Sequence, residues 1–186
     1  MVTTSRGFSV TGRVGSDNAG APCHARVAVR CLVIRHAPAE SGPPDAERAL
    51  SAAGVSLLRQ VRGALQALVP DIGVIAHSPL RRARETATLL AEVFAVPTQE
   101  TATLAPGGLD DLLPWLAGHA GAVALVGHED DLSYWVCHML TGEAGRFFHF
   151  ERAAACLLEF RGPLRPGAAQ LRWLLGPEHL ARMARR

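Results

Sequence analysis

Apolar residues along the chain follow two periods, and each period predicts one kind of secondary structure. Short continuous apolar runs are typical of buried strands. Five of them predict strands over residues 28–34, 72–76, 122–127, 154–160 and 170–175. Apolar residues recurring every three or four positions, together with breaker residues, predict helices over about 51–69, 79–94, 109–119, 131–140 and 177–185.

Serine and proline residues mark where several of these helices begin. Ser51 is a candidate N-cap for the first helix, and Pro79 suits the first turn of the second. Pro114 interrupts the third helix, so it is expected near a start or a kink. Residues 35–49 and 97–106 are predicted to be connections, because they are rich in proline and polar residues and lack either period.

Strands that alternate with helices predict βαβ units. We therefore expect a three-layer α/β/α sandwich around a mostly parallel sheet, with the last two strands pairing antiparallel at an edge. Residues 28–186 form one predicted domain. Residues 1–27 are rich in Gly, Ser, Thr and Ala and lack a hydrophobic signal-peptide stretch, so we expect a flexible N-terminal tail.

Composition excludes several classes of protein. All 19 basic residues are arginine, which rules out Schiff-base lysines and the lysine of a Walker-type phosphate loop. A net charge of +2 is too small to favour nucleic acid as a partner. The four cysteines form no CxxC pair, and no apolar run spans a bilayer, so we expect a cytoplasmic protein without a membrane partner.

Histidine and arginine residues follow three of the predicted strands. Arg35 and His36 come after the first, His77 and Ser78 after the second, and His128 after the third. In a parallel sheet, ligands bind at the carboxyl ends of the strands. Arg81, Arg82 and Arg84 open the helix beside the same edge. Guanidinium groups repel cations and bind phosphate, so this constellation predicts a dianion site and no metal site.

The same residues resemble three motifs of the histidine phosphatase superfamily, which includes the phosphoglycerate mutases. Arg35-His36-Ala37 is similar to its Arg-His-Gly motif, with alanine in place of the usual glycine. Residues 78–86 resemble its second motif, and Val126-Gly127-His128 its third. Residues 45–54 and 171–180 resemble segments of the SixA-type phosphohistidine phosphatases. The resemblance covers roughly residues 29–182 and implies a phosphoglycerate mutase-like fold.

The resemblance also implies a role for each motif residue. His36 would attack phosphorus and become a phosphohistidine, while Arg35 and Arg82 hold the phosphoryl oxygens. His128, if protonated, would add a further donor and charge. Outside the motifs, two interpretations of Arg48 stay open: it reaches substrate from the loop after the first strand, or it is a solvated surface arginine. Water would then hydrolyse the intermediate, so no metal or other cofactor is expected. Glu129, Asp130 and Asp131 either repel anionic substrates or raise the pKa of His128.

The superfamily's usual general acid is not evident in the sequence. A phosphoramidate needs less help from an enzyme acid, because protonated imidazole is a far better leaving group than an alkoxide, so the expected substrate is phosphohistidine in a partner protein. Two alternatives remain at this point: a phosphomonoesterase acting on a small phosphate ester of metabolism, and a non-catalytic phosphate-binding module. Ala37 and the acidic run after His128 are what keep the second alternative open. We expect a monomer.

Overall fold

A computed structural model describes residues 28–185, so the predicted tail lies outside the described residues. The strands are β1 (Val29–Arg35), β2 (Ile72–His77), β3 (Thr98–Glu100), β4 (Ala122–Gly127), β5 (Ala155–Phe160) and β6 (Gln170–Leu175). The helices are α1 (Ala52–Leu68), α2 (Arg81–Phe94), α3 (Leu112–Ala117), α4 (Asp131–Thr141) and α5 (Pro177–Met183). Short 3-10 turns cover Asp45–Glu47, Ala102–Leu104 and Leu109–Asp111.

The six strands form one sheet in the order β3-β2-β4-β1-β5-β6. β3, β2, β4 and β1 are parallel, with Arg35 of β1 opposite Gly127 of β4 and His77 of β2 opposite Val126. β5 runs antiparallel to β1, and β6 antiparallel to β5. The mostly parallel sheet and its antiparallel edge pair are therefore confirmed. The carboxyl ends of β1, β2 and β4 lie side by side at one end of the strands.

Helices cover both faces of the sheet. α1, α2 and α5 enclose one apolar cluster with one face of β1 and β4, and α3 and α4 enclose a second with the opposite face. Alternate β1 residues, Leu32 and Val33, belong to opposite clusters, and both are fully buried. Burial on both faces explains why β1 is a continuous apolar run. The predicted three-layer architecture is confirmed. Within residues 28–185, no helix has the length and apolarity needed to cross a membrane.

The start of α1 is fixed against the loop that follows β1. The Ser51 side chain accepts a hydrogen bond from the Gly54 N–H at 3.1 Å, which confirms the predicted N-cap. The Ser51 N–H in turn donates to the Pro38 carbonyl at 3.0 Å. A Cβ atom on Gly54 would lie 2.0 Å from that carbonyl oxygen, so only glycine permits this approach. These contacts fix the backbone just after His36.

The main differences from the sequence-based prediction concern β3, the start of α2 and the division of the helix over 109–119. β3 was not predicted, because its three residues are polar and exposed on an edge strand. α2 begins at Arg81 because Leu80 is extended, with ψ of 135°, and the Leu80 N–H donates to the Ser78 hydroxyl. The predicted helix over 109–119 divides into a 3-10 turn and α3. Pro114 lies in the first turn of α3, where its missing N–H costs no hydrogen bond.

Candidate active site

The loops that follow β1, β2 and β4 are tied to one another by backbone hydrogen bonds. The His36 N–H donates to the Gly127 carbonyl at 3.1 Å, and the Ser78 N–H donates to the Val126 carbonyl at 3.1 Å. These bonds continue the parallel ladder one residue past each strand. His36, Ser78 and His128 therefore leave the sheet side by side, as the strand pattern predicted.

His36 is held in one tautomer. Its Nδ1 lies 2.7 Å from the carbonyl oxygen of Ala37, and because a carbonyl only accepts, Nδ1 carries the hydrogen. Its Nε2 accepts a hydrogen bond from Arg82 Nε at 3.2 Å. Burial lowers the pKa of His36 to about 4, and the charges of Arg82, Arg35 and Arg152 add to this against the opposing Ala37 bond. The ring is neutral at pH 7, with its lone pair on Nε2.

Arg82 joins His36 to the turn over residues 45–47. The first turn of α2 carries the side chain inward, where it is 8% exposed, while the neighbouring Arg81 faces outward and pairs with Glu85. The Arg82 guanidinium donates to the Asp45 backbone carbonyl at 2.8 Å and to Asp45 Oδ2 at 3.0 Å. Arg82 thus bridges a histidine nitrogen and a carboxylate, and it is the arginine that the second motif indicated.

The Asp45 carboxylate sits between two arginines. Its Oδ1 accepts from Arg48 at 2.8 Å while Oδ2 accepts from Arg82. Desolvation is the largest single influence and acts to raise the pKa of this carboxyl, but the hydrogen bonds and charges of Arg82 and Arg48 together outweigh it and hold the pKa below its ordinary value. Asp45 is therefore an anion at neutral pH. It occupies donors on Arg82 that face the same side of the site as His36.

His128 lies beside His36, with 5.2 Å between the ring centroids. The ring is 4% exposed. Its Nε2 is hydrogen-bonded to the Ser78 hydroxyl at 2.8 Å, and Nδ1 has no partner among the described residues. Burial lowers the pKa of His128 to about 3, reinforced by His36, Arg82 and Arg35. The ring is therefore neutral in the free protein. The sequence had left open a protonated His128, and the structure does not favour that form without a bound anion.

The acidic run after His128 does not face that ring. Glu129 accepts hydrogen bonds from Ser133 and from the Phe150 backbone, and it pairs with His149. Asp130 pairs with Arg146 on the surface. Asp131 opens α4 and accepts from the Gly107 N–H at 3.2 Å. The opposite charge that favours a protonated His128 is instead Asp45, and burial outweighs it.

Arg35 completes the cluster at the end of β1. Its Nη1 donates to the Phe150 carbonyl and lies 3.5 Å from His149 Nε2. Its Nε is buried and has no partner in the described part of the chain. Burial lowers the pKa of Arg35, with Arg152 acting in the same direction and Glu129 opposing. An arginine remains charged even so. Arg35, His36, Arg82 and His128 therefore come together at one sheet edge.

Arg48, which was expected to contact substrate, is connected to these four residues only indirectly. Its guanidinium donates to the Glu40 carbonyl at 2.6 Å and to Asp45. Its link to Arg82 runs through the Asp45 carboxylate. A role for Arg48 in substrate binding stays a prediction.

Ala37 replaces the superfamily's glycine without backbone strain. It does not belong to the residues with positive φ, which among the described non-glycine residues are Ala95 and Ala153. Its N–H donates to the Thr86 hydroxyl at 3.2 Å. The side chain is fully buried in the apolar cluster beneath the site. A methyl group is therefore accommodated here, and left-handed backbone is not required.

Three further residues close to the site were missed in the sequence. Asp45 precedes Arg48 by three positions, a spacing that would have suggested their ion pair. His149 and Arg152 lie in the segment between α4 and β5, which shows neither helical nor strand period. Arg152 is exposed, yet its charge contributes to the lowered pKa of both His36 and Arg35. No periodic signal could have placed either residue.

Among the described residues, the acidic and histidine side chains form one group with the spacing of metal ligands. It consists of Glu129, Asp130 and His149, whose donor atoms lie within 4.8 Å of one another. Each is already in an ion pair or hydrogen bond, and two guanidinium groups, those of Arg35 and Arg146, adjoin them. Adjacent positive charge disfavours a cation, so we interpret the group as an ion-pair cluster.

Comparison with known proteins extends these observations. Residues 31–106 match the histidine phosphatase superfamily (branch 1). An uncharacterized protein of Picosynechococcus sp. is 34% identical over 133 residues, which is 68% of this chain and 77% of that protein. The chain belongs to the histidine phosphatase superfamily. Its chemistry is therefore that of a phosphatase, a hydrolase of phosphate compounds.

Solved structures of other superfamily members share the fold. The protein histidine phosphatase SixA, complexed with tungstate, superimposes with a TM-score of 0.70 at 21% identity, covering 81% of this chain and 99% of SixA. A mycobacterial glucosyl-3-phosphoglycerate phosphatase superimposes with a TM-score of 0.60 at 17% identity, covering 78% of this chain and 97% of that structure. The predicted SixA-like, phosphoglycerate mutase-like fold is confirmed.

Proposed function

We propose that this histidine phosphatase removes the phosphoryl group from phosphohistidine in a partner protein, through a covalent intermediate on His36. The observation that carries the proposal is the state of His36. Its Nδ1–H is held by the Ala37 carbonyl, and its Nε2 lone pair faces Arg82 at 3.2 Å. A neutral imidazole with a fixed, unprotonated nitrogen is a competent nucleophile.

His36 Nε2 attacks phosphorus, and the bond from phosphorus to the leaving group breaks. Water then attacks the phosphorus of the intermediate, and the electron pair of the P–N bond returns to His36 Nε2. Inorganic phosphate leaves. Because phosphoryl transfer is accelerated mainly by positioning and charge, the residues around His36 matter as much as the nucleophile.

Arg35 and Arg82 supply that charge in the proposal. Arg35 has a buried Nε with no partner among the described residues, and Arg82 points two nitrogens at Asp45. A phosphoryl dianion that displaces the Asp45 carboxylate would gain charge-assisted hydrogen bonds from both arginines. His128 retains an unpaired Nδ1 for the same group. The arriving dianion would raise the pKa of His128 and so favour its protonated, donating form.

The carboxylate at the mouth of the site supports phosphohistidine as the substrate. Expulsion of an alkoxide needs a carboxylic acid that holds a proton near pH 7. Asp45 contacts Arg82, but its lowered pKa leaves it ionised. An anion at this position complements the positively charged imidazole ring of a phosphohistidine and offers no proton to a sugar. The SixA-like fold agrees with this substrate class.

A small phosphate ester is the second candidate substrate. The glucosyl-3-phosphoglycerate phosphatase that shares the fold acts on such a compound by its name. Arg152 provides an exposed guanidinium close enough to influence His36, and it would suit a second anionic group on a small substrate.

Initial rates on a matched panel distinguish these functions. The panel contains a phosphohistidine-bearing phosphocarrier protein, a phosphohistidine peptide, several sugar phosphates and an aryl phosphate. We expect kcat/KM to be highest for phosphohistidine and to vanish in His36→Ala for every substrate. A higher kcat/KM for a sugar phosphate would shift the assignment to the metabolite phosphatase. Phosphate binding without turnover of any member would instead indicate a binding module.

A further inference from the structure

The segment that precedes β5 lies against the two residues at the end of β1. The Ala153 N–H donates to the carbonyls of Arg35 and His36, at 3.2 and 3.3 Å. The Arg35 guanidinium donates back to the Phe150 carbonyl. Backbone bonds from Ala153 and a side-chain bond from Arg35 therefore fix residues 149–153 beside His36.

Within this segment, His149 forms a pair with Glu129, the residue that follows His128. Its Nδ1 lies 3.0 Å from Glu129 Oε1. The Glu129 side chain is 3% exposed, whereas the His149 side chain is 65% exposed. Glu129 Oε1 also accepts from the Ser133 hydroxyl at 2.6 Å, and Oε2 accepts from the Phe150 N–H at 3.3 Å. A buried, well-anchored carboxylate thus orients an imidazole that reaches solvent.

With Nδ1 on Glu129, the other ring nitrogen of His149, Nε2, faces Arg35 and the active site. Since a carboxylate only accepts, His149 Nδ1 carries the hydrogen, and since a guanidinium only donates, the Nε2 that faces Arg35 holds the lone pair. That Nε2 lies 3.5 Å from Arg35 Nη1, the guanidinium proposed to hold phosphoryl oxygens. A carboxylate on one imidazole nitrogen and an unprotonated second nitrogen that faces the site is the arrangement of a general base oriented by a third group.

We propose that His149 is the general base that activates water for hydrolysis of the phosphoryl-His36 intermediate, with Glu129 as its positioning residue. The water oxygen bonds to phosphorus, the water proton passes to His149 Nε2, and the P–N bond breaks with its electron pair returning to His36. The proton is then released to solvent. This inference rests on the proposed function, because it requires the covalent intermediate.

The other candidate bases are less suited to this step. His36 carries the phosphoryl group, and His128 is buried and occupied by Ser78. The Asp45 carboxylate is held by two arginines, which weakens it as a base. His149 combines a lone pair directed towards the Arg35 guanidinium, at 3.5 Å, with a side chain that is open to solvent, from which the attacking water would enter.

Single-turnover kinetics of His149→Gln test the inference. Each enzyme is mixed with an aryl phosphate and quenched over time, and the phosphoenzyme is measured together with the released phenol. We expect hydrolysis of the phosphoenzyme to slow by about 100-fold, so that it accumulates, while its formation changes by less than about threefold. Glu129→Gln should slow hydrolysis by about tenfold, since it leaves the base in place but less well oriented.

His119→Gln is the matched control. His119 lies between α3 and the amino end of β4, and its ring is hydrogen-bonded to the Trp115 carbonyl at 3.0 Å. Because the active site is at the carboxyl ends of the strands, replacement of His119 should leave both rates unchanged. Equal hydrolysis rates in His149→Gln and wild type would overturn the inference while leaving the intermediate on His36 intact. A wild-type enzyme that forms no phosphoenzyme would instead overturn the proposed function itself.

Discussion

At the residue scale, His36 and His128 show how burial sets charge. Both rings lie where neighbouring positive charge and desolvation oppose protonation, with pKa values of about 4 and about 3. In the free protein the positive charge of this pocket therefore comes from its arginines, and both histidines are neutral; in the proposed mechanism they stay neutral until the phosphoryl dianion binds. A nucleophile that were protonated at neutral pH would lack the lone pair on which the proposed mechanism depends.

Lowered histidine pKa values also predict how stability depends on pH. Between the ordinary pKa of 6.5 and the folded value of about 4, the unfolded chain binds protons that the folded His36 does not. The same holds for His128. The free energy of unfolding therefore falls as pH falls through this window, by about 1.4 kcal/mol per pH unit for each histidine.

Urea unfolding at a series of pH values checks this slope. His128→Gln should retain only the part of the slope that His36 contributes. If the wild-type unfolding free energy stayed constant between pH 6.5 and about 4, the pKa shifts would be wrong. His119→Gln, which changes a histidine outside the site, is expected to keep the wild-type slope.

At the element scale, the 3-10 turn over residues 45–47 connects the long loop after β1 to the start of α2. Asp45 in this turn accepts from Arg82 and from Arg48 at once. The turn therefore places its own anion on the arginine that is proposed to bind phosphoryl oxygens. Substrate must exchange with this carboxylate, so the turn sets part of the cost of binding.

Replacement of Asp45 by asparagine measures that competition. Asp45→Asn keeps the shape of the side chain but removes its charge, so inorganic phosphate and tungstate should bind about fivefold more tightly, as expected from an ion pair with one exposed partner worth about 1 kcal/mol. Isothermal titration calorimetry gives the dissociation constants.

Asp71→Asn provides the control for this experiment. Asp71 also pairs with an arginine, Arg30, but at the amino end of the sheet, so anion binding should not change. Weaker anion binding in Asp45→Asn would show that the carboxylate orients Arg82 for the anion and does not compete with it.

The elements themselves were predictable to different degrees. Buried strands such as β1 and β4 are continuous apolar runs, so both their positions and the polar residues after them follow from sequence. β3 escaped prediction because Thr98, Gln99 and Glu100 carry no apolar residue to bury. The segment before β5 has no periodicity, which is why His149 could be placed only by its contacts with Glu129 and Arg35.

At the scale of the whole molecule, the order of the motifs along the chain correctly predicted which residues lie close together. The carboxyl ends of two neighbouring parallel strands, β1 and β4, brought Arg35, His36 and His128 together, and the first turn of α2 added Arg82. The ionisation of these groups was beyond sequence, since it depends on burial and on long-range partners such as Asp45. The position of the Arg48 guanidinium could not be predicted either, because it is set by hydrogen bonds to the Glu40 carbonyl and to Asp45.

The central claim is that His36 Nε2 carries the phosphoryl group during turnover. Rapid quench of the wild-type enzyme with radiolabelled substrate, followed by peptide mapping, tests it most directly. We predict a phosphoenzyme that is labile in acid and stable in base, mapped to His36 and lost in His36→Ala, with Arg81→Ala as a variant that keeps it. A label on another residue, or turnover that persists in His36→Ala, would contradict the account.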